Sequence, residues 1–151
     1  MSVLCCRIPN FLTTLACQRQ PAWTERPLAL VGPDERVWAA SPQAEQTGIL
    51  PTMRPQQAQL LCPEVLLRPL DMPASQAIQQ QFLELLAAWA LPVEPHAWGL
   101  AYVDLHTVAR SAESTRPLAV ELGRRLRQQL GDALQPAIGW DSGKFTARAA
   151  A

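Results

Sequence analysis

Three carboxylates have the chemistry to hold a divalent cation. Glu94 and Asp104 lie at either end of one apolar segment, and Asp141 follows the last apolar segment of the chain. A two-metal site needs clustered carboxylates that hold its cations about 3.5–4 Å apart. These three acids belong to separate predicted elements, and Leu100 lies between the first two. A metal site built from these three acids is therefore possible, but nothing in the sequence shows that they lie close together in space.

A second group of candidate residues is basic. Arg124, Arg125 and Arg127 lie on a predicted helix but off its apolar stripe, where they could contact the phosphates of DNA. The chain has 13 basic and 13 acidic residues and no net charge, whereas proteins that bind nucleic acid alone usually carry a basic surplus. The composition therefore predicts a weak DNA contact at most.

The cysteines and histidines do not have the spacing of a metal site. Cys5, Cys6, Cys17 and Cys62 include no Cys-x-x-Cys pair, and the chain has only two histidines. We predict buried, reduced thiols in a cytoplasmic protein that binds no cofactor. No apolar stretch approaches the ~20 residues that cross a bilayer, so we expect no membrane contact.

The apolar pattern predicts an α+β fold, with a mixed sheet and helices packed on one face. A long helix capped by Ser75 carries one apolar stripe. A strand over 97–105 alternates its side chains, with Leu100, Tyr102 and Asp104 on one face. The predicted strands are 2–8, 28–31, 36–40, 65–68, 97–105 and 137–140. The predicted helices are 11–18 capped by Asn10, 41–47, 55–62, 75–91, 116–130 and one from 143 onward capped by Ser142.

Five segments follow one another in a recognisable order. Residues 94–105 read Glu-Pro-His-Ala-Trp-Gly-Leu-Ala-Tyr-Val-Asp-Leu, and residues 139–151 read Gly-Trp-Asp-Ser-Gly-Lys-Phe-Thr-Ala-Arg-Ala-Ala-Ala. Shorter motifs precede them at 27–31, 44–53 and 58–63. Together they resemble the Y family (DinB/UmuC-type) of translesion DNA polymerases, the first matching its central palm strand. The resemblance covers nearly the whole chain.

The resemblance implies a polymerase palm with a small fingers subdomain. It assigns residues 1–11 and 68–151 to the palm-like domain, and residues 12–67 to the fingers-like subdomain. The thumb and little-finger domains of the family have no counterpart in these 151 residues.

The family's three catalytic carboxylates are replaced in this resemblance. The first aspartate, in the family motif Val-Asp-Met-Asp-x-Phe-Phe, aligns with Cys6 when Phe11 is set against the second Phe. The acidic pair that precedes Ala-Tyr in the family aligns with Gly99 and Leu100. Magnesium prefers hard oxygen ligands, which none of these side chains supplies. We therefore predict no catalytic residue, no metal site and no enzymatic activity.

Two charged residues are retained. Lys144 matches a family lysine that contacts the nucleotide phosphates, which makes it a candidate phosphate contact. A solvated lysine near a helix start is the alternative interpretation. Asp104 matches a position that is usually structural in the family.

The chain most resembles the ImuB group of polymerase-like proteins, whose start is similar to Arg7-Ile8-Pro9-Asn10-Phe11. That group acts without catalysis, as an adaptor in a mutagenic repair complex with a RecA-like protein, a separate replicative-type polymerase and the sliding clamp. The leading hypothesis is therefore a non-catalytic adaptor in DNA repair or translesion synthesis. The alternatives are an active nucleotidyltransferase with relocated acids and a weak DNA-binding module.

Overall fold

Strand pairing divides the chain into two separate sheets. The computed structural model describes residues 2–89, 91–108 and 111–151. One compact unit contains Met1–Pro9 with Gln76–Ala151, and the other contains Asn10–Ser75. Within the described ranges, no helix has both the length and the apolar character needed to cross a membrane.

The helices and strands follow the predicted order closely. The strands are β1 (Val3–Arg7), β2 (Leu28–Val31), β3 (Val37–Ala40), β4 (Leu66–Pro69), β5 (Val93–Ala97), β6 (Leu100–Asp104) and β7 (Ala137–Asp141). The α-helices are α1 (Phe11–Arg19), α2 (Pro42–Gln46), α3 (Pro55–Leu61), α4 (Met72–Ala87), α5 (Ala112–Leu130) and α6 (Lys144–Ala150), and a 3₁₀ helix spans Pro21–Glu25.

The larger sheet has the order β5-β6-β1-β7 and is antiparallel throughout. Leu4 and Val103 line a small apolar cavity on one face of it, together with Leu86 of α4 and Leu122 of α5. We call this the α4/α5 face. Burial of these side chains supplies much of the driving force for folding this unit.

The opposite face of the larger sheet packs against α6, and we call it the α6 face. Val3, Cys5, Leu100 and Tyr102 form a buried cluster there with Ala147 of α6. The prediction that the helices pack on one face thus holds for the two long helices and is wrong for the short terminal helix, which covers part of the other face.

The smaller sheet has the order β3-β2-β4 and contains a parallel strand pair. Its β2 strand pairs antiparallel with β3 and parallel with β4. Ala29, Val37, Ile49, Ala58 and Val65 belong to its buried cluster. The mixed sheet predicted for the palm is therefore not found in the larger sheet, and mixed pairing occurs in this unit instead.

The predicted single strand over 97–105 is wrong, because a tight turn interrupts it. β5 ends at Ala97 and β6 begins at Leu100, with Gly99 at a φ of 64° in the turn, a backbone region that glycine adopts at little cost. The side chain of Gln79 on α4 accepts the Gly99 N–H at 2.8 Å and donates to the Ala97 carbonyl at 3.3 Å. Helix α4 therefore fixes the turn.

One predicted helix start and two predicted helix caps also differ. Helix α5 begins at Ala112, four residues earlier than predicted, and the Ser111 hydroxyl accepts the N–H of Ser114 at 3.3 Å. Asn10 precedes α1 as predicted, but its side chain makes no capping hydrogen bond. The N-cap of α6 is Gly143 rather than the serine before it.

Helix α4 begins at Met72, so Ser75 lies inside it and is not its cap. The Asp71 carboxylate accepts the N–H of Ala74 at 3.0 Å and pairs with Arg19 at 2.6 Å. We expect Asp71→Ala to lower the free energy of unfolding by about 1–2 kcal/mol through loss of this cap, since an exposed ion pair adds little. Urea denaturation measures the change. Asp71→Asn keeps the capping oxygen and should retain most of the stability, and an equal loss in both variants would refute the capping role.

Candidate functional site

The positions implied by the polymerase resemblance meet at the β5–β6 turn and the end of β1. Gly99 lies in the turn, and its carbonyl accepts the N–H of Ile8 at 2.7 Å. Leu100 pairs across the sheet with Arg7, and Cys6 pairs with the next residue of β6. Strand pairing thus brings Cys6, Gly99 and Leu100 close together in the backbone.

The side chains of Cys6 and Leu100 point to opposite faces. Cys5 belongs to the α6 face together with Leu100, and side chains alternate along a strand, so Cys6 points to the α4/α5 face. Cys6 is fully buried, and this burial strongly raises the pKa of its thiol. Arg7 is exposed and shares the α6 face with Leu100.

Lys144 already has an anionic partner. Its ammonium group pairs with the Glu94 carboxylate and lies 5.7 Å from the centroid of the Tyr102 ring. His96 packs edge-on against the same ring, with 5.5 Å between ring centroids. A phosphate would therefore have to compete with Glu94 for this lysine.

The three carboxylates that could form a relocated site have separate partners. Glu94 pairs with Lys144. Asp104 accepts the N–H two residues later at 2.9 Å, and Asp141 accepts the next N–H at 2.6 Å. These backbone hydrogen bonds lower the pKa of Asp104 and of Asp141. Strand β1 separates β6 from β7, and two strand spacings amount to about 10 Å. In the described part of the chain, no three His, Cys, Asp or Glu residues form a group that could hold a metal ion.

The arginines predicted to contact DNA differ in their surroundings. Arg124 and Arg125 donate to the Glu121 carboxylate at 2.7–2.9 Å, and the Arg125 guanidinium lies 5.4 Å from the centroid of the Trp89 ring. Arg127 is exposed, and no carboxylate among the described residues pairs with it. Arg124 and Arg125 thus share a single carboxylate, which offsets one of their two positive charges.

Comparison with known proteins decides the family. A model of the impB/mucB/samB family matches residues 6–151. The chain belongs to the impB/mucB/samB family. A relative named DNA polymerase IV from Ralstonia nicotianae is 26% identical over 151 residues, which cover 98% of this chain and 42% of that protein. DNA polymerase IV 2 from Agrobacterium fabrum is 27% identical over 142 residues, covering 93% of this chain and 39% of that protein. The impB/mucB/samB chain spans less than half the length of these relatives.

Solved structures share the fold of this impB/mucB/samB chain. DinB from Sulfolobus solfataricus matches with a TM-score of 0.84 at 20% identity, over 98% of this chain and 44% of that chain. The Y-family DNA polymerase chimera Dbh-Dpo4(243-245)-Dbh matches with a TM-score of 0.84 at 19% identity, with the same coverage. The predicted α+β fold of a Y-family palm with fingers is confirmed.

Arg7 lies beside the candidate positions but is not among the residues that the sequence predicts. The sequence does contain a clue to its orientation. Side chains alternate along a strand, so Arg7 points to the same face as Cys5. The pairing of Arg7 with Leu100 places it next to the candidate positions, and a strand register cannot be read from one isolated segment.

The Glu121 carboxylate of the impB/mucB/samB chain should stay ionised at pH values well below those at which a glutamate usually becomes protonated. Hydrogen bonds from Arg124 and then Arg125 lower its pKa to about 2. Because the folded pKa lies below the unfolded one, the stabilisation is fully present above the unfolded pKa of about 4.5 and is lost as the pH falls towards 2. An NMR titration of the side-chain carboxyl carbon measures this pKa, and Glu121→Gln identifies its signal. A titration midpoint near pH 4.5 would show that the arginines do not lower the pKa of Glu121.

Proposed function

We propose that this chain is a non-catalytic, polymerase-like adaptor of the ImuB type. It has a Y-family polymerase-like domain, which is consistent with a role in DNA damage tolerance. The observation that carries the proposal is that the α6 face presents Leu100 and Arg7 where a catalytic centre needs carboxylates. A RecA-like protein and a replicative-type polymerase are the partners that this proposal implies.

The residues at the implied catalytic positions do not fit magnesium. Magnesium demands hard oxygen ligands in a nearly octahedral arrangement. Gly99 has no side chain, and Leu100 is apolar and 4% exposed within the buried cluster of the α6 face. The positive charge of Arg7 beside them repels a cation.

Strand register favours Arg7 over Cys6 at the position of the first family aspartate. Carboxylates that share metal ions must converge on one side of the sheet. Arg7 lies opposite Leu100 and points to the same face, whereas Cys6 points to the other. Setting Phe11 against the first Phe of the motif Val-Asp-Met-Asp-x-Phe-Phe, instead of the second, gives the same assignment.

Primer extension by the protein at its natural length tests the proposal. With magnesium, a primed template and all four deoxynucleotides, we expect no extension above background. The DNA polymerase IV of Ralstonia nicotianae, assayed alongside, should extend the same primer. Extension by this protein would overturn the proposal, and its loss in Asp104→Ala would point instead to a nucleotidyltransferase with relocated acids.

That relocated-acid alternative has less support, because Glu94, Asp104 and Asp141 have separate partners. A weak DNA-binding module is favoured by Arg127 of α5, which is exposed and has no ion-pair partner in the described part of the chain. A steep dependence of duplex affinity on salt, lost in Arg127→Gln, would support that function.

A further inference from the structure

The outward side of helix α5 carries a stripe of mostly basic residues. The inward side of the helix packs on the α4/α5 face, where Leu122 lines the apolar cavity. A helix advances about 100° per residue, so positions four, eight and eleven residues apart share one side. Exposed residues at this spacing form what we call the α5 stripe: Arg116, Val120, Arg124 and Arg127. The stripe extends for about 17 Å along the helix axis.

Two of the three arginines in the α5 stripe have no acidic partner. Arg116 and Arg127 take part in no ion pair within the described ranges. Arg124 shares the Glu121 carboxylate with Arg125, which lies on the flank of the helix. Helix α5 contains four arginines and two glutamates, although the chain as a whole has no net charge. The outward side of α5 therefore concentrates positive charge.

An apolar side chain lies in the middle of this charge. Val120 is 62% exposed, four residues after Arg116 and seven before Arg127. The Nη2 atom of Arg127 lies 3.9 Å from the position that a Cβ of Gly123 would occupy. This guanidinium therefore folds back along the helix towards Val120, which is one turn from that glycine. An exposed apolar residue flanked by arginines is typical of surfaces that bind other proteins.

The α5 stripe suits a protein segment better than a nucleic acid strand. A phosphate backbone supplies negative charge but no apolar partner for Val120, whereas an acidic protein segment can supply both. Glu113 lies on the same side of α5, one turn before Arg116, and its carboxylate would repel a continuous polyanion. The stripe also lies on the opposite side of the sheet from Leu100 and the α6 face.

We propose that the α5 stripe docks an acidic, amphipathic segment of a protein partner. The inference rests on the proposed adaptor function and deepens it, because it gives the chemistry that one partner must have. An aliphatic side chain of the partner packs on Val120, and carboxylates on either side of it pair with Arg116 and Arg127. Each guanidinium can bind a carboxylate through two parallel hydrogen bonds. The arginines lie about 6 Å before and about 10 Å after the valine along the helix axis, so the two carboxylates are spaced unequally.

An unbiased peptide selection tests this docking surface. Random peptides displayed on phage are selected against the full chain, and the most enriched peptide is synthesised with a fluorescein label for anisotropy titrations. We expect enriched peptides in which acidic residues flank an aliphatic one. Arg127→Gln should weaken binding about tenfold, as the loss of a charge-assisted hydrogen bond predicts. Val120→Ser should weaken it about fivefold through the loss of apolar burial. Circular dichroism confirms that both variants are folded.

Arg148→Gln is the matched control for the loss of one positive charge. Arg148 is also exposed and takes part in no ion pair of the described chain, but it lies in α6, which packs on the other side of the sheet. Because salt screens exposed charges at such separations, this variant should leave the dissociation constant of the peptide within about twofold of wild type.

The proposal is overturned if the selection enriches no acidic peptide, or if Arg127→Gln and Arg148→Gln weaken binding equally. A DNA duplex that displaces the peptide, with a steep salt dependence that is lost in Arg127→Gln, would also overturn it and would assign the α5 stripe to DNA. Primer extension is measured separately, so a failure of peptide binding would not be confused with failure of the non-catalytic role.

Discussion

Replacing Cys6 by aspartate should lower the free energy of unfolding by about 3 kcal/mol or more, because it places a carboxyl group in an unpaired buried position. Cys6 is fully buried on the α4/α5 face, and burial already strongly raises the pKa of its thiol. Arg7→Asp should change the same free energy by no more than about 0.5 kcal/mol, as is usual for exposed positions. Urea denaturation of the two variants measures the difference.

The pair of variants separates two alignments of the chain with the polymerase family. Cys6→Ser serves as a control, since it changes the polarity of the buried site without adding a charge. A Cys6→Asp protein as stable as Arg7→Asp would mean that position 6 tolerates an acid. That result would restore Cys6 as the counterpart of the first catalytic aspartate.

Gly139→Ala should destabilise the larger unit by about 1–3 kcal/mol, the usual cost of overpacking. A Cβ at this position would lie 2.3 Å from the carbonyl oxygen of Ala147 and 2.4 Å from the backbone nitrogen of Ala151. Backbone atoms cannot rotate away, so α6 would have to move off the sheet. The α6 amides should therefore exchange their hydrogens faster in the variant. Hydrogen exchange measures this rate, and urea denaturation measures the loss of stability.

Gly123→Ala is the matched control for this substitution. Its Cβ would lie 3.3 Å from the Cδ1 atom of Ile138 and 3.9 Å from the Nη2 atom of Arg127, and both of these side-chain ends can shift. Alanine also favours a helix interior over glycine by about 1 kcal/mol, so this variant should be neutral or slightly more stable. If the Gly139→Ala variant left the α6 amides as well protected from hydrogen exchange as in the wild type, that result would contradict the close packing of α6 on β7.

Local pattern predicts most elements of this fold but not their ends. The continuous apolar run of β2 and the proline at the start of α3 give both elements correctly. The strand over 97–105 hides a turn, because Gly99 stands among apolar residues that continue the alternation on both sides. Its φ of 64° is fixed by strand pairing and by Gln79, which lies 20 positions earlier. Neither cause is visible within a short window of sequence.

Helix starts show the same limit for a different reason. Asp71 and Ser75 are both good caps, and the proline at position 73 favours a loop, although proline is tolerated in the first turn of a helix. The structure selects Asp71, which also pairs with Arg19, 52 residues earlier. A long-range partner of this kind decides between caps that local propensity leaves equal.

The candidate site is still a prediction, and its β1 residue depends on the structure. Motif order along the chain predicts Gly99 and Leu100, while the choice between Cys6 and Arg7 depends on which side chain shares the face of Leu100. A one-residue slip reverses the face of every side chain in a strand. Only the β1–β6 register, with Arg7 opposite Leu100, makes that choice.

Magnesium titration of the whole chain by calorimetry, with and without a non-hydrolysable deoxynucleoside triphosphate, tests the central claim most directly. A face that presents arginine, glycine and leucine where oxygen ligands are required should give no saturable heat of magnesium binding in either case. Saturable, stoichiometric binding of magnesium that strengthens with the nucleotide would contradict it.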